Sequence, residues 1–166
     1  MKPGDHPEFF RLPAPEGRSR ESTIVLDRSG RWFHDGEPVE HPGLAAALPT
    51  WIARHPDDGR PILSNGYDWC YLQVEDTAQF VAAIHADGAG APRVRLSSGH
   101  EEPLRAETLQ VDEEGVAYVE VLPRGASRPV LARFLREAQS ALEPWLADEP
   151  LRLVVDGRAF AIGTRT

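Results

Sequence analysis

Leu26 to Phe33 read LDRSGRWF, and Val111 to Tyr118, 85 positions further on (26 to 111), read VDEEGVAY. Both place an aliphatic residue, an Asp, two variable residues, a Gly and then, three positions later, an aromatic ring. An Asp at the head of a tight turn accepts backbone amides with its own carboxylate, and a Gly three residues on supplies a left-handed conformation without a steric penalty. With apolar, β-prone residues on either side, each stretch predicts a hairpin. The chain is therefore expected to be built mainly from short strands joined by specific turns.

Working outward, STIVLD and RWFH flank the first turn, and DGEPV supplies a second at Gly36 and Pro38. EHPGLAAALPTWIARH (residues 40–55) predicts a helix, with Pro42 in its first turn and Leu44, Leu48, Trp51 and Ile52 as one apolar stripe. Pro49 falls inside that pattern and predicts a kink or restart, because it lacks the amide donor. Asn65-Gly66 between two apolar runs predicts a further hairpin. Between Phe80 and Ala106, FVAAIHAD, GAGAP and RVRLSSG read as another, with a Gly-rich loop.

The second half follows the same order. ETLQVDEEGVAYVEV is strand, turn and strand. SRPVLARFLREAQSALEPW (residues 127–145) predicts the longest helix, with Leu131, Phe134, Leu135, Ala138, Leu142 and Trp145 at helical spacing. Ser127 is its expected cap, Pro129 lies in its first turn, and Pro144 ends it. Asp156-Gly157 predicts a type I′ hairpin. Aligning the halves pairs Asp27 with Asp112, Gly30 with Gly115, Leu44 with Leu131, Leu48 with Leu135 and Gly66 with Gly157. The expected fold is α+β, with two β-rich lobes of mainly antiparallel strands, each hairpin, helix, hairpin, arising by degenerate duplication. The expected boundaries are an extended or disordered arm at 1–21, one lobe at 22–79 and the other at 80–166.

Among 166 residues, 26 Asp and Glu outweigh 18 Lys and Arg, for a net charge of −8. No basic run offsets this, so nucleic acid and anionic membranes are not expected partners. The stretch MKPGDHPEFFRLPAPEG lacks the apolar core of a secretory signal, and no run of 18 apolar residues occurs, so a soluble cytoplasmic protein is expected. Cys70, the one cysteine, lies in the strand pattern YDWCYLQV and is read as a structural thiol.

GRWFHDGEPV, with Trp32, Gly36 and Pro38, then the Trp69–Phe80 segment with Val74, Glu75 and Asp76, and later YVEV and DGRAFAIG, resemble a bacterial family labelled domain of unknown function 1285. The similarity runs over most of Ile24 to Gly163. It implies two small β-rich α+β lobes and brings no activity, substrate or cofactor. SNGYDW, RLSSG and EHPG depart from the family pattern, which marks a divergent member; if those segments form the family's ligand surface, this member binds something else or nothing.

Three constellations carry candidate chemistry. His34, Asp35 and His41, with Glu40 nearby, lie within one turn and a helix start and define a hydrolase or metal alternative, although their spacing fits no recognised metal pattern. Ser97, Ser98, His100, Glu101 and Glu102 share a loop without the strained elbow that a nucleophilic serine needs. The aromatic set Trp32, Phe33, Tyr67, Trp69 and Tyr71 falls on expected strands of the first lobe, either as core or as a docking face. With no phosphate loop and no catalytic constellation, the favoured expectation is a non-enzymatic module without cofactor or metal. It would bind a small molecule or protein in the crevice between lobes through Trp32, Trp69, Tyr71, Arg95 and Arg158. Unpaired edge strands make a homodimer a further expectation.

Overall fold

The computed structural model describes residues 1–166 and divides the chain into two compact units, Met1–Ala78 and Gln79–Thr166. Strands account for 39% of residues and helices for 17%, and all but three of the strand pairings are antiparallel, so the fold is α+β.

In the first unit β1 (Glu21–Leu26), β2 (Trp32–His34) and β3 (Glu37–Pro38) form a meander. The helix α1 (Pro42–Ala47), a 3-10 turn over Leu48–Trp51, and β4 (Ile52–Arg54), β5 (Pro61–Ser64) and β6 (Trp69–Val74) follow. The six strands make one sheet in the order β3-β2-β1-β6-β5-β4, with β6 returning parallel to β1 at its centre. Pro42 opens α1 as expected, and Pro49 restarts the backbone as the 3-10 turn. Ile52, expected on the helical stripe, instead starts β4, where it pairs with Leu63.

The second unit comprises β7 (Gln79–Ala86), β8 (Pro92–Leu96), β9 (Glu101–Pro103), β10 (Gln110–Val111), β11 (Ala117–Val121), β12 (Val130–Phe134), the short helix α2 (Arg136–Ser140), β13 (Leu146–Ala147), β14 (Arg152–Val155), β15 (Arg158–Ala161) and β16 (Gly163–Thr164). A seven-stranded sheet runs β16-β10-β11-β12-β7-β8-β9, and β13-β14-β15 form a three-stranded one. Val81, Val94, Leu96, Val119, Val121, Phe134 and Leu153 are among the buried side chains of its core.

The expected helix over residues 127–145 is the main correction. Its first half is β12, held antiparallel by β11 and parallel by β7. Ala132 and Phe134 face the core at alternate positions, and only Arg136–Ser140 is α-helical. The leucine spacing fits both periods, and two neighbouring strands that satisfy this backbone decide in favour of extension. Neither Ser127 nor Pro129 caps a helix. Leu131 thus lies on a strand whereas Leu44 lies on a helix, so the pairing of those two residues, and of Leu48 with Leu135, falls on unlike elements.

The two opening turns do share one geometry. Asp27 donates its amide to the Arg31 carbonyl at 2.9 Å, Gly30 donates to the Asp27 carbonyl at 3.1 Å, and Asp27 Oδ1 accepts the Ser29 and Arg31 amides. Asp112 repeats this with Val116, Gly115 and Glu114. So does Asp87 with Ala91, Gly90 and Ala89, in the β7–β8 hairpin. All three glycines have φ between 82° and 85°. Asp156-Gly157, both at positive φ, form the expected two-residue turn between β14 and β15.

Candidate functional site

Side chains alternate along β6, so Cys70 and Leu72 face one side of the first unit's sheet and Trp69 and Tyr71 the other. Cys70 opposes Leu63 across the β5–β6 ladder. On that side a cavity of about 260 Å³ lies among Ile24, Val39, Leu44, Leu48, Trp51, Leu63 and Cys70, bordered by His34, Asn65, Asp68 and Trp69. Leu48 and Leu63 are buried, whereas His34, Leu44, Asn65 and Asp68 are exposed and connect the cavity to solvent. The cavity exists because α1 is only six residues long and made largely of alanine and glycine, which fill little of the space above the sheet. Burial pushes the Cys70 thiol above its ordinary value, so it is a poor nucleophile there.

The opposite side of β6 carries an aromatic cluster. His55 stacks on Tyr71 with ring centres 5.7 Å apart and lies 5.2 Å from Trp69, and Trp69 meets Tyr71 edge-on at 5.2 Å. Guanidinium groups cover the rings, Arg20 at 4.6 Å from Trp69 and Arg60 at 3.7 Å from Tyr71. The Tyr71 hydroxyl donates to Asp58 at 2.7 Å, which holds the Asp58 carboxyl below the usual range and raises the phenol. Arg60 in turn clamps Glu21 through two hydrogen bonds and holds its carboxyl low. The carboxylates of this network are held by donors, Asp58 by the Tyr71 hydroxyl and Glu21 by the Arg60 guanidinium.

The structure brings together Trp69 and Tyr71 of the expected ligand set. Trp32, at the start of β2, is buried; Tyr67, expected on a strand, lies in the β5–β6 turn and is 66% exposed. Arg95 on β8 and Arg158 on β15 belong to different sheets of the second unit, both exposed, and Arg158 stacks on Phe160. The His34, Asp35 and His41 trio does not converge. His34 and Asp35 are 3.6 Å apart, but His41 Nδ1 accepts the Leu44 amide as the cap of α1. No group of three or more His, Cys, Asp or Glu side chains is arranged to hold a metal. In the second unit Glu102 is buried and accepts from His100, Arg105 and the Leu122 amide, tying β9 to the end of β11.

Sequence reasoning missed His55, which closes the stretch read as a helix over residues 40–55, and missed the cavity, because α1 reads as longer and bulkier than it is. Pro56 and the paired Asp57-Asp58 after His55 were the available local signal.

The first unit thus defines the class: a β-rich α+β protein with an apolar cavity on one side of a mixed sheet and a covered aromatic face on the other. Two solved structures share the fold. A DUF1285 family protein from Silicibacter pomeroyi superposes with a TM-score of 0.55 at 16% identity, covering 93% of this chain and 92% of that one. A DUF1285 family protein from Shewanella baltica gives 0.54 at 16% identity, covering 76% and 94%. No family model matches the sequence, and no curated protein does.

Proposed function

We propose that the chain is a non-enzymatic module that holds a small, mainly apolar molecule in the cavity beneath α1. The observation that carries this reading is the cavity itself: about 260 Å³, walled by aliphatic side chains and Trp51, with polar groups only at His34, Asn65, Asp68 and Cys70. Natural packing leaves few voids of that size, and a void of roughly 150 Å³ already holds benzene. A ligand of roughly ten non-hydrogen atoms fits on that scale, with an apolar body and one polar end at the exposed side chains. The absence of a convergent base and nucleophile around Cys70 favours binding over turnover.

The test is a titration with 2-phenylethanol followed by two-dimensional NMR. Shifts confined to Ile24, Val39, Leu44, Leu48 and Leu63 are expected, and Val39→Phe, which fills the space, abolishes them. Scattered shifts, or binding unaffected by Val39→Phe, would sink the reading.

We further infer that the chain is a divergent member of the DUF1285 family, a reading supported by shared fold and by the residues around Trp32 and Trp69. The first unit from β1 to β6 and the second from β10 to β15 order their elements alike, as a three-stranded meander, a helix, a 3-10 turn, a strand and a hairpin, with β7–β9 and β16 additional in the second, and this supports descent from one block. In that register Trp51 corresponds to Trp145, each ending its 3-10 turn. No helix is long and apolar enough to cross a membrane, which together with the acidic composition supports a cytoplasmic location.

A further inference from the structure

The aromatic face of the first unit is covered by the chain's own first 20 residues. They form two 3-10 turns, Pro3–Asp5 and Pro7–Arg11, and contribute no strand. The Gly4 amide donates to the Gly66 carbonyl at 2.9 Å. Phe10 packs edge-on to Trp69 at 5.8 Å and to His55 at 6.3 Å. The Phe10 carbonyl lies 3.0 Å from His55 Nε2. Because His55 Nδ1 accepts the Asp57 amide at 3.1 Å, Nε2 carries the proton and donates to that carbonyl. Arg11 then forks onto Asp57, with Nη2 2.8 Å from Oδ1 and Nε 3.1 Å from Oδ2. The face therefore reads three features of one dipeptide: a ring, a carbonyl and a guanidinium.

Two observations make this cover exchangeable. Its ion pair lies at the surface, with Arg11 and Asp57 about half exposed (51% and 48%). Where the arm meets the face, Trp69 Nε1 and Arg20 Nε are buried without an acceptor, a cost borne by the docked state. The connection to β1, LPAPEGRS over residues 12–19, carries Pro13 and Pro15 and a turn in which the Arg18 amide donates to the Pro15 carbonyl at 3.0 Å, with Gly17 at a φ of 75°.

We propose that the His55, Asp57, Trp69 and Tyr71 face is a socket for a Phe-Arg segment, and that its partner in trans is the arm of a second copy of this chain, exchanged to form a dimer. Every copy carries the segment that fits, and exchange keeps each contact while changing only which chain supplies it. In dilute solution the tethered arm has the higher effective concentration, so the closed monomer dominates; at high protein concentration the exchanged dimer forms.

Charge reversal tests this with the full chain. Arg11→Glu and Asp57→Arg each set like charges against one another at exposed positions. Mixed together, each arm meets a socket of opposite charge on the other chain. A species of twice 18.4 kDa is expected by light scattering for the mixture, and for neither variant alone. The chain carrying both changes restores the pairing in cis and stays monomeric when dilute. A mixture that remains monomeric overturns the proposal. A second measurement uses a peptide spanning residues 7–12, PEFFRL, followed through the Trp69 indole N–H resonance. Binding to the Arg11→Glu chain at least tenfold tighter than to the Asp57→Arg chain is expected, and equal affinity for both overturns the socket. Neither substituted residue, Arg11 nor Asp57, lines the cavity, so the charge-reversal result and the cavity titration stand or fall separately.

Discussion

Ala132→Leu separates the strand from the helix over residues 130–134. On β12, Ala132 is fully buried (0% exposed), directly opposite Val119, also 0% exposed, and beside β7. On the helix predicted from the spacing, the core stripe runs through Leu131, Phe134, Leu135 and Ala138, and position 132 turns toward solvent. Adding three carbons to a close-packed interior costs about 1–3 kcal/mol. For a cooperative unit of under 100 residues, 1 kcal/mol lowers Tm by roughly 4–8 °C, so a drop of about 4–24 °C is expected for the second unit. Scanning calorimetry reads it directly. The register adds a sharper condition. Val119→Ala makes room on the same face of the neighbouring strand, so the double variant recovers part of the loss, with a coupling of about 0.5–3 kcal/mol. A Tm for Ala132→Leu within 1–2 °C of the parent (roughly 0.3 kcal/mol on the same scale), or strict additivity with Val119→Ala, would refute the strand assignment.

Three further outcomes follow from the structure. Arg11 holds the Asp57 carboxyl, and Arg60 the Glu21 carboxyl, below their unfolded values; their contribution is therefore present above those values and lost as pH falls through the lower folded ones. The urea midpoint of the first unit is expected to hold near neutrality and decline below about pH 4, with a shallower decline for Asp57→Asn combined with Glu21→Gln. Cys70, its thiol raised by burial beside the cavity, is expected to react with a disulfide reagent more slowly than free cysteine at pH 8, and as fast only after urea unfolding. Asp112→Ala removes an acceptor for two backbone amides and is expected to lower stability by about 1 kcal/mol, whereas Asp112→Asn, which keeps that oxygen, changes it by less than half as much in chemical denaturation.

Turns were the most legible part of the sequence. Asp27, Asp112 and Asp156 act through their own backbone or the next few residues, so local chemistry determines their shape wherever they occur. The third Asp turn, at Asp87, went unremarked because its two middle residues are Gly88 and Ala89 and the stretch reads as a glycine-rich loop. The period of residues 130–135 was not legible, since a stripe of Leu131, Phe134 and Leu135 satisfies both geometries until β7 and β11 claim the backbone. Of the candidate ligand residues, Trp69 and Tyr71 were legible from strand alternation. The partners that define their environment, Phe10 and His55, are 59 and 14 residues from Trp69 and share no local pattern with it.

In each Asp-x-x-Gly turn the two middle residues are exposed (Arg28-Ser29, Gly88-Ala89 and Glu113-Glu114), and the second of them, Ser29, Ala89 or Glu114, donates its backbone amide to the Asp carboxylate, while Arg28 alone also reaches a carboxylate, that of Glu75 at 3.8 Å. The fold thus carries three ready attachment points, at Ser29, Ala89 and Glu114, which contribute a backbone amide to the turn. A spectroscopic label or an affinity tag can be installed at any of them while the hairpin continues to close, with both units available for such reporters.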